Sequence, residues 1–144
     1  MKTIYIVDLE PVETRYTAQW KKHLPEQMSR YLGTEEYNVK VISGGDVPQT
    51  TTPGAFLNFA GTNSYKSQQM LVIANLVASG EVKDGDYFLY TDAWNPTVIQ
   101  LKYMAELLGI NIKIGGMWHA GSYDPADFLG RLIGAKPWVR YAEA

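Results

Sequence analysis

Three residues able to do chemistry near neutral pH stand at the ends of short apolar runs. Asp8 follows Ile4-Tyr5-Ile6-Val7, Asp92 comes just after Tyr87-Phe88-Leu89-Tyr90, and His119 closes the run that reaches Trp118. A carboxylate so placed can accept hydrogen bonds from hydroxyls, act as a general base or attack as a nucleophile. An imidazole can move a proton or hold an anionic group. Asp92 could instead only cap the helix that follows, but Asn95-Pro96 fills that cap and leaves Asp92 for other work. His119 could instead only hydrogen-bond a neighbouring loop. These three are the candidate catalytic residues.

Groups better suited to binding surround them: Glu10, Ser43, Gly44, Trp94, Trp118, Gly121 and Ser122. An indole stacks on the apolar face of a sugar or a nucleobase while a nearby carboxylate accepts its polar hydrogens. Ser43-Gly44-Gly45-Asp46 can form a tight backbone turn near an anion, although a single Gly-Gly is mostly loop geometry. His23 lies inside a helical pattern and is expected at the surface or in packing.

Other chemistry is excluded. Asp8, Glu10 and Asp92 invite a magnesium site, but no further oxygen ligands occur at a recognisable spacing, so no metal is expected. The turn Asp8-Leu9-Glu10-Pro11-Val12-Glu13 has no glycine and two acids where a dinucleotide pyrophosphate would have to approach, so no cofactor is expected there. The chain has no cysteine, which removes disulfides, thiolate metal sites and cysteine nucleophiles. Its 13 Lys and Arg against 15 Asp and Glu are scattered, so nonspecific nucleic-acid binding is not expected.

The elements that must position these residues alternate in type. Strands are expected at 4–7, 39–42, 87–90 and 112–118. A helix over 12–24 carries Val12, Tyr16, Trp20 and Leu24 on one side and should break or kink at Pro25, with a second piece reaching Leu32 and Gly33. After a long loop to Thr62, in which Thr50-Thr51-Thr52-Pro53-Gly54 reads as a flap or a solvated connection, residues 65–79 return to helical spacing through Met70, Ile73, Ala74 and Val77. Asn95 as N-cap, Pro96, then Leu101, Met104, Ala105, Leu108 and Gly109 predict the next helix. Asp124-Pro125 caps a last one through Phe128, Leu129, Leu132 and Ile133 to Gly134.

This alternation predicts an α/β fold: a Rossmann-like parallel sheet of about four strands flanked by helices, in the order 2-1-3-4. Residues 1–144 form one domain, and at this length roughly 70% of the unfolded surface is buried on folding. Ligands of such sheets bind beyond the carboxyl ends of the strands, which is where all the candidates fall; Asp8, Asp92 and His119 should share one rim and border a common cleft. No apolar run approaches the roughly 20 residues needed to cross a bilayer, and an acid at position 8 comes too soon for a signal peptide. No membrane partner and a cytoplasmic location are expected.

Three segments carry a family resemblance. They are Ile4-Tyr5-Ile6-Val7-Asp8-Leu9-Glu10-Pro11-Val12-Glu13-Thr14-Arg15-Tyr16, Asp86-Tyr87-Phe88-Leu89-Tyr90-Thr91-Asp92-Ala93-Trp94-Asn95-Pro96, and Met117-Trp118-His119-Ala120-Gly121-Ser122-Tyr123-Asp124-Pro125. Together they resemble the amino-terminal part of a group of bacteriophage glycosyltransferases. The resemblance implies a longer enzyme of two Rossmann-like domains in the GT-B arrangement, of which this chain is the first and shapes the acceptor side. It implies a nucleotide sugar as donor, an unidentified acceptor, no required metal, and a cleft-facing His119-Ala120-Gly121. This sequence ends at Trp138-Val139-Arg140-Tyr141-Ala142-Glu143-Ala144, the look of a helix just begun, which implies a missing donor domain, little activity alone, and a second domain or a homodimer against the surface near Trp94 and Trp118. A small nucleoside enzyme of the deoxyribosyltransferase type, with Asp92 or Asp8 as nucleophile, and a non-catalytic nucleotide- or sugar-binding module remain the alternatives.

Overall fold

The computed structural model describes residues 1–10, 17–32, 36–45, 58–119 and 121–144. The elements in order are β1 (Lys2–Val7), α1 (Thr17–Tyr31), β2 (Tyr37–Ile42), α2 (Phe59–Ala78), β3 (Tyr87–Tyr90), α3 (Thr97–Leu108), β4 (Lys113–Gly116), α4 (Phe128–Ile133) and α5 (Pro137–Glu143). All strand pairs are parallel and the sheet order is β2-β1-β3-β4. The two most continuously apolar runs, β1 and β3, are thus adjacent at the centre, as a sheet covered on both faces requires.

Right-handed crossovers decide which face each helix covers. The step from β1 to β2 runs opposite to the steps from β2 to β3 and from β3 to β4. Hence α1 lies on one face, and α2 and α3 lie side by side on the other, where they touch each other. Alternation along the strands sends Tyr5, Val7, Ile42, Phe88 and Tyr90 to the α2/α3 face, where they form one core with Met70, Ile73, Val82 and Leu101. Tyr5 and Phe88, paired across the sheet, stack with ring centroids 4.8 Å apart. The α1 face is barer: Ile4 and Ile6 are buried, but Val41 keeps 42% and Tyr87 37% of its surface exposed.

Several element limits differ from the expectations. α1 runs through Pro25 instead of breaking there; a proline costs its helix one amide bond, to the carbonyl four residues back, and the remaining turns carry the helix on. α2 starts at Phe59, inside the expected loop, because Asn58 caps it by accepting the Gly61 amide at 2.8 Å. α3 starts at Thr97, with Pro96 in the cap position, and the Asn95 side-chain Oδ1 accepts the Thr97 amide at 3.1 Å. It stops at Gly109, whose φ of 68° only glycine adopts cheaply. Asp127, not Asp124, caps α4 through the Leu129 amide. Leu108 and Leu132, expected on buried faces, are exposed. The expected start of the first helix at Val12 and Tyr16, its stop at Gly33, the turn residue Asp46, the 50–54 flap and Ala120 lie outside the described residues.

Candidate functional site

The carboxyl ends of β1 and β2 carry a closed polar hub. Asp8 is 3% exposed, and both of its oxygens are occupied. Ser43 donates to Oδ2 at 2.5 Å, Tyr65 donates to Oδ1 at 2.5 Å, Gln69 Nε2 adds a bond to Oδ1 at 3.1 Å, and Lys21 Nζ stands 3.6 Å from Oδ2. Gln69 also donates to the main-chain carbonyls of Asp8 and Ile42, which ties the ends of β1 and β2 together. Its own carbonyl accepts from Asn95, whose Oδ1 takes the Thr97 hydroxyl, and that hydroxyl meets the Tyr90 hydroxyl at 2.9 Å. One chain of side chains thus runs under the ends of β2, β1 and β3, the place where the strand order reverses.

Burial pushes the Asp8 pKa up, against the pull of Ser43, Tyr65 and Lys21. Burial and the Asp8 carboxylate push the Tyr65 phenol up, and burial raises Tyr90 to about 12, so both phenols stay neutral at ordinary pH. Gly44 is required here: a Cβ would run into the Tyr65 carbonyl and ring. Glu10 is also buried, and its Oε2 meets no hydrogen-bond partner among the described residues.

At the end of β3, Asp92 Oδ1 accepts the Trp94 amide at 3.0 Å, a two-residue turn that aims the indole. His119, after β4, holds its Nε2 at 2.6 Å from the Thr91 carbonyl. A carbonyl can only accept, so Nε2 is the donor in this bond. The edge of Trp20 in α1 packs on the imidazole, and the next residue, Lys21, reaches Asp8, so one turn of α1 spans both strand ends.

Among the described residues, one open cleft at this rim lies between β3 and β4. Trp94 and Trp118 meet at 82° with centroids 6.4 Å apart beside a cleft of about 210 Å³, whose wall includes Ile114, Gly116, Ile99 and Glu143. At Gly116 a Cβ would press on Ala93 and Tyr90. Glu143 in α5 fastens the wall: Oε1 accepts the Trp94 indole at 3.1 Å and the Ser122 amide at 2.8 Å, and Oε2 accepts the Ser122 hydroxyl at 2.6 Å. Desolvation raises the Glu143 pKa, but these hydrogen bonds outweigh it and hold the carboxyl below its ordinary range.

Asp8, Asp92 and His119 do lie at one rim, because β1, β3 and β4 run parallel. The candidates nevertheless sort into separate groups. Ser43 and Gly44 join Asp8 in the hub, Trp94, Trp118 and Ser122 gather at the cleft, and Gly121 is buried with the Tyr123 ring above it. None of Asp8, Asp92 and His119 lines that cleft. Tyr65, Gln69, Lys21, Asn95 and Glu143 were not among the sequence candidates. A signal for two of them exists: Tyr65 and Gln69 precede Ile73 at four-residue intervals, polar groups in positions where a core-facing helix carries apolar ones. Among the described residues no three His, Asp or Glu gather as a metal site, and no helix is long and apolar enough to cross a membrane. Comparison with protein-family models, with curated proteins and with solved structures finds no match to this chain.

Proposed function

We propose that the chain is the acceptor-side domain of a glycosyltransferase, which seats one sugar ring of the acceptor in the cleft beside Trp94 and Trp118 and meets a nucleotide sugar there as donor. The observation that carries this reading is the perpendicular indole pair beside a carboxylate-walled cleft of about 210 Å³. Indole faces suit the C–H faces of a sugar, and Glu143 suits its hydroxyls. The cleft is smaller than the roughly 300–1,000 Å³ that drug-sized ligands need, which favours a single ring over a whole nucleotide sugar. Transfer bonds the acceptor oxygen to the anomeric carbon, releases the nucleotide phosphate and leaves a proton to be taken up. This reading assigns that proton to His119 or Asp92, which stand on the same rim but outside the cleft wall, so the reacting hydroxyl has to project out of the cleft toward them. The deoxyribosyltransferase reading asks for an open carboxylate, which Asp8, 3% exposed, does not offer, so that reading rests on the half-buried Asp92.

The test is a thermal-shift and tryptophan-emission titration with monosaccharides, nucleotide sugars and nucleosides. Sugars should raise the melting temperature and shift the emission, and Trp118→Ala should move both responses to higher sugar concentration. A response to nucleosides alone transfers the assignment to the small nucleoside enzyme. Sugar binding by a chain that transfers nothing even when its donor domain is supplied leaves a binding module. No response to any of them overturns the reading.

A further inference from the structure

We infer that α3 is a two-fold contact through which this chain pairs with a second copy of itself, its axis running antiparallel to that of the partner helix. The helix is apolar twice. Thr97, Leu101 and Ala105 turn inward and are buried, while Ile99, Tyr103 and Leu107 recur every four residues on the opposite side and stay 52%, 64% and 67% exposed. At about 100° per residue these three form one outward stripe a little over two turns long. Single exposed apolar residues need no explanation, but three in register along one helix are a surface built to be covered.

Charge selects the occupant. Lys102 and Glu106 lie on the same flank of that stripe, one turn apart, and bridge each other at 3.2 Å. A two-fold axis perpendicular to the helix, passing near Tyr103 and Met104, keeps that flank facing itself while reversing direction. Lys102 of one copy then meets Glu106 of the other, twice. A parallel two-fold would instead carry the Lys102/Glu106 flanks of the two copies to opposite sides of the contact, where neither charge meets its counterpart. The pattern is self-complementary in one orientation only, the property of an isologous interface. Ile99 belongs both to the stripe and to the wall of the cleft, so the second copy would lie along the cleft mouth. A single helix stripe is smaller than the roughly 800 Å² per partner of a standard interface, so the pair should be weak, with dissociation in the micromolar range.

Sedimentation of the whole chain from micromolar to several hundred micromolar tests this. A monomer–dimer equilibrium is expected, and Tyr103→Glu should weaken it at least tenfold. The decisive arm uses charge. Lys102→Glu and Glu106→Lys should each weaken self-association, and the two single variants, once mixed, should associate with one another more tightly than either does with itself. The double exchange K102E/E106K should restore self-association. All these positions are exposed, and melting temperatures close to that of the unaltered chain will show that each variant is folded. A chain monomeric throughout the range, or a dimer indifferent to Tyr103→Glu and to the charge exchange, overturns the proposal.

Discussion

The Asp8 hub and the Trp94–Trp118 cleft sit at the same rim of one sheet and are built on opposite principles. In the hub a charged group is almost wholly enclosed, and each polar atom around it is answered by another: Ser43, Tyr65 and Gln69 on the carboxylate, Asn95 on Gln69, Thr97 on Asn95. In the cleft the surfaces are aromatic and half-open, with Trp118 48% exposed, and the closing carboxylate of Glu143 comes from a short helix at the periphery. A buried charge is costly unless its partners are complete, so the hub behaves as a keystone that fixes the ends of β1, β2 and β3. The cleft can give up contacts at little cost to the fold. Residues that look equally chemical in sequence therefore divide into those that hold the sheet and those able to meet a ligand.

Substitutions can break that division where it is strongest. Gln69→Leu leaves the Asn95 amide and the Asp8 carbonyl without their Gln69 partner, while the Ile42 carbonyl keeps the Asp8 main-chain amide, and each orphaned group costs about 1–3 kcal/mol. The expected result is the largest effect in the molecule, a loss of about 2 kcal/mol or more in urea unfolding with an unchanged slope. Retained stability would show that the hub is not a keystone.

Trp118→Ala should do the reverse. A stacking face contributes about 1 kcal/mol, so sugar binding should weaken roughly fivefold. The melting temperature should fall by only a few degrees, roughly the shift that 1 kcal/mol produces in a domain of this size. Equal losses in binding and stability would place Trp118 in the scaffold.

The two carboxyl groups should also titrate in opposite senses. The Asp8 pKa is raised in the folded state, so the folded chain binds the extra proton, and the contribution of Asp8 to stability is complete below its unfolded pKa and declines as pH rises through the folded pKa. Asp8→Asn should remove that decline, visible as a flatter curve of stability against pH. Glu143 has a lowered pKa, so its contribution is complete above the ordinary carboxyl range and is lost as pH falls through the folded value. Acid should then loosen α5 and shift the Trp94 emission, a small change that Glu143→Gln should largely abolish. An acid step that persists in this variant would mean that another group holds α5.

Much of the fold is legible in the residues. Four apolar runs separated by helical spacing impose the parallel order β2-β1-β3-β4, since the most apolar runs must lie in the middle and crossovers are right-handed. Gly109 ends α3 because its backbone angle requires glycine. The same physics places Asp8, Asp92 and His119 at one rim, because parallel strands all deliver their carboxyl ends to the same side.

What no run of residues could specify is the company each group keeps. Gln69 lies 61 positions from Asp8, and Glu143 lies 49 from Trp94, yet each pair shares a hydrogen bond. Local spacing sets which face of an element a residue occupies, whereas partners across such distances are chosen only when the elements pack and buried polar atoms must find one another. The sequence by itself determined the sheet, its order and the rim; tertiary packing decided that Asp8 would be sealed in a hub and that Trp94 and Trp118 would stand open, because only packing determines which polar groups are cut off from water.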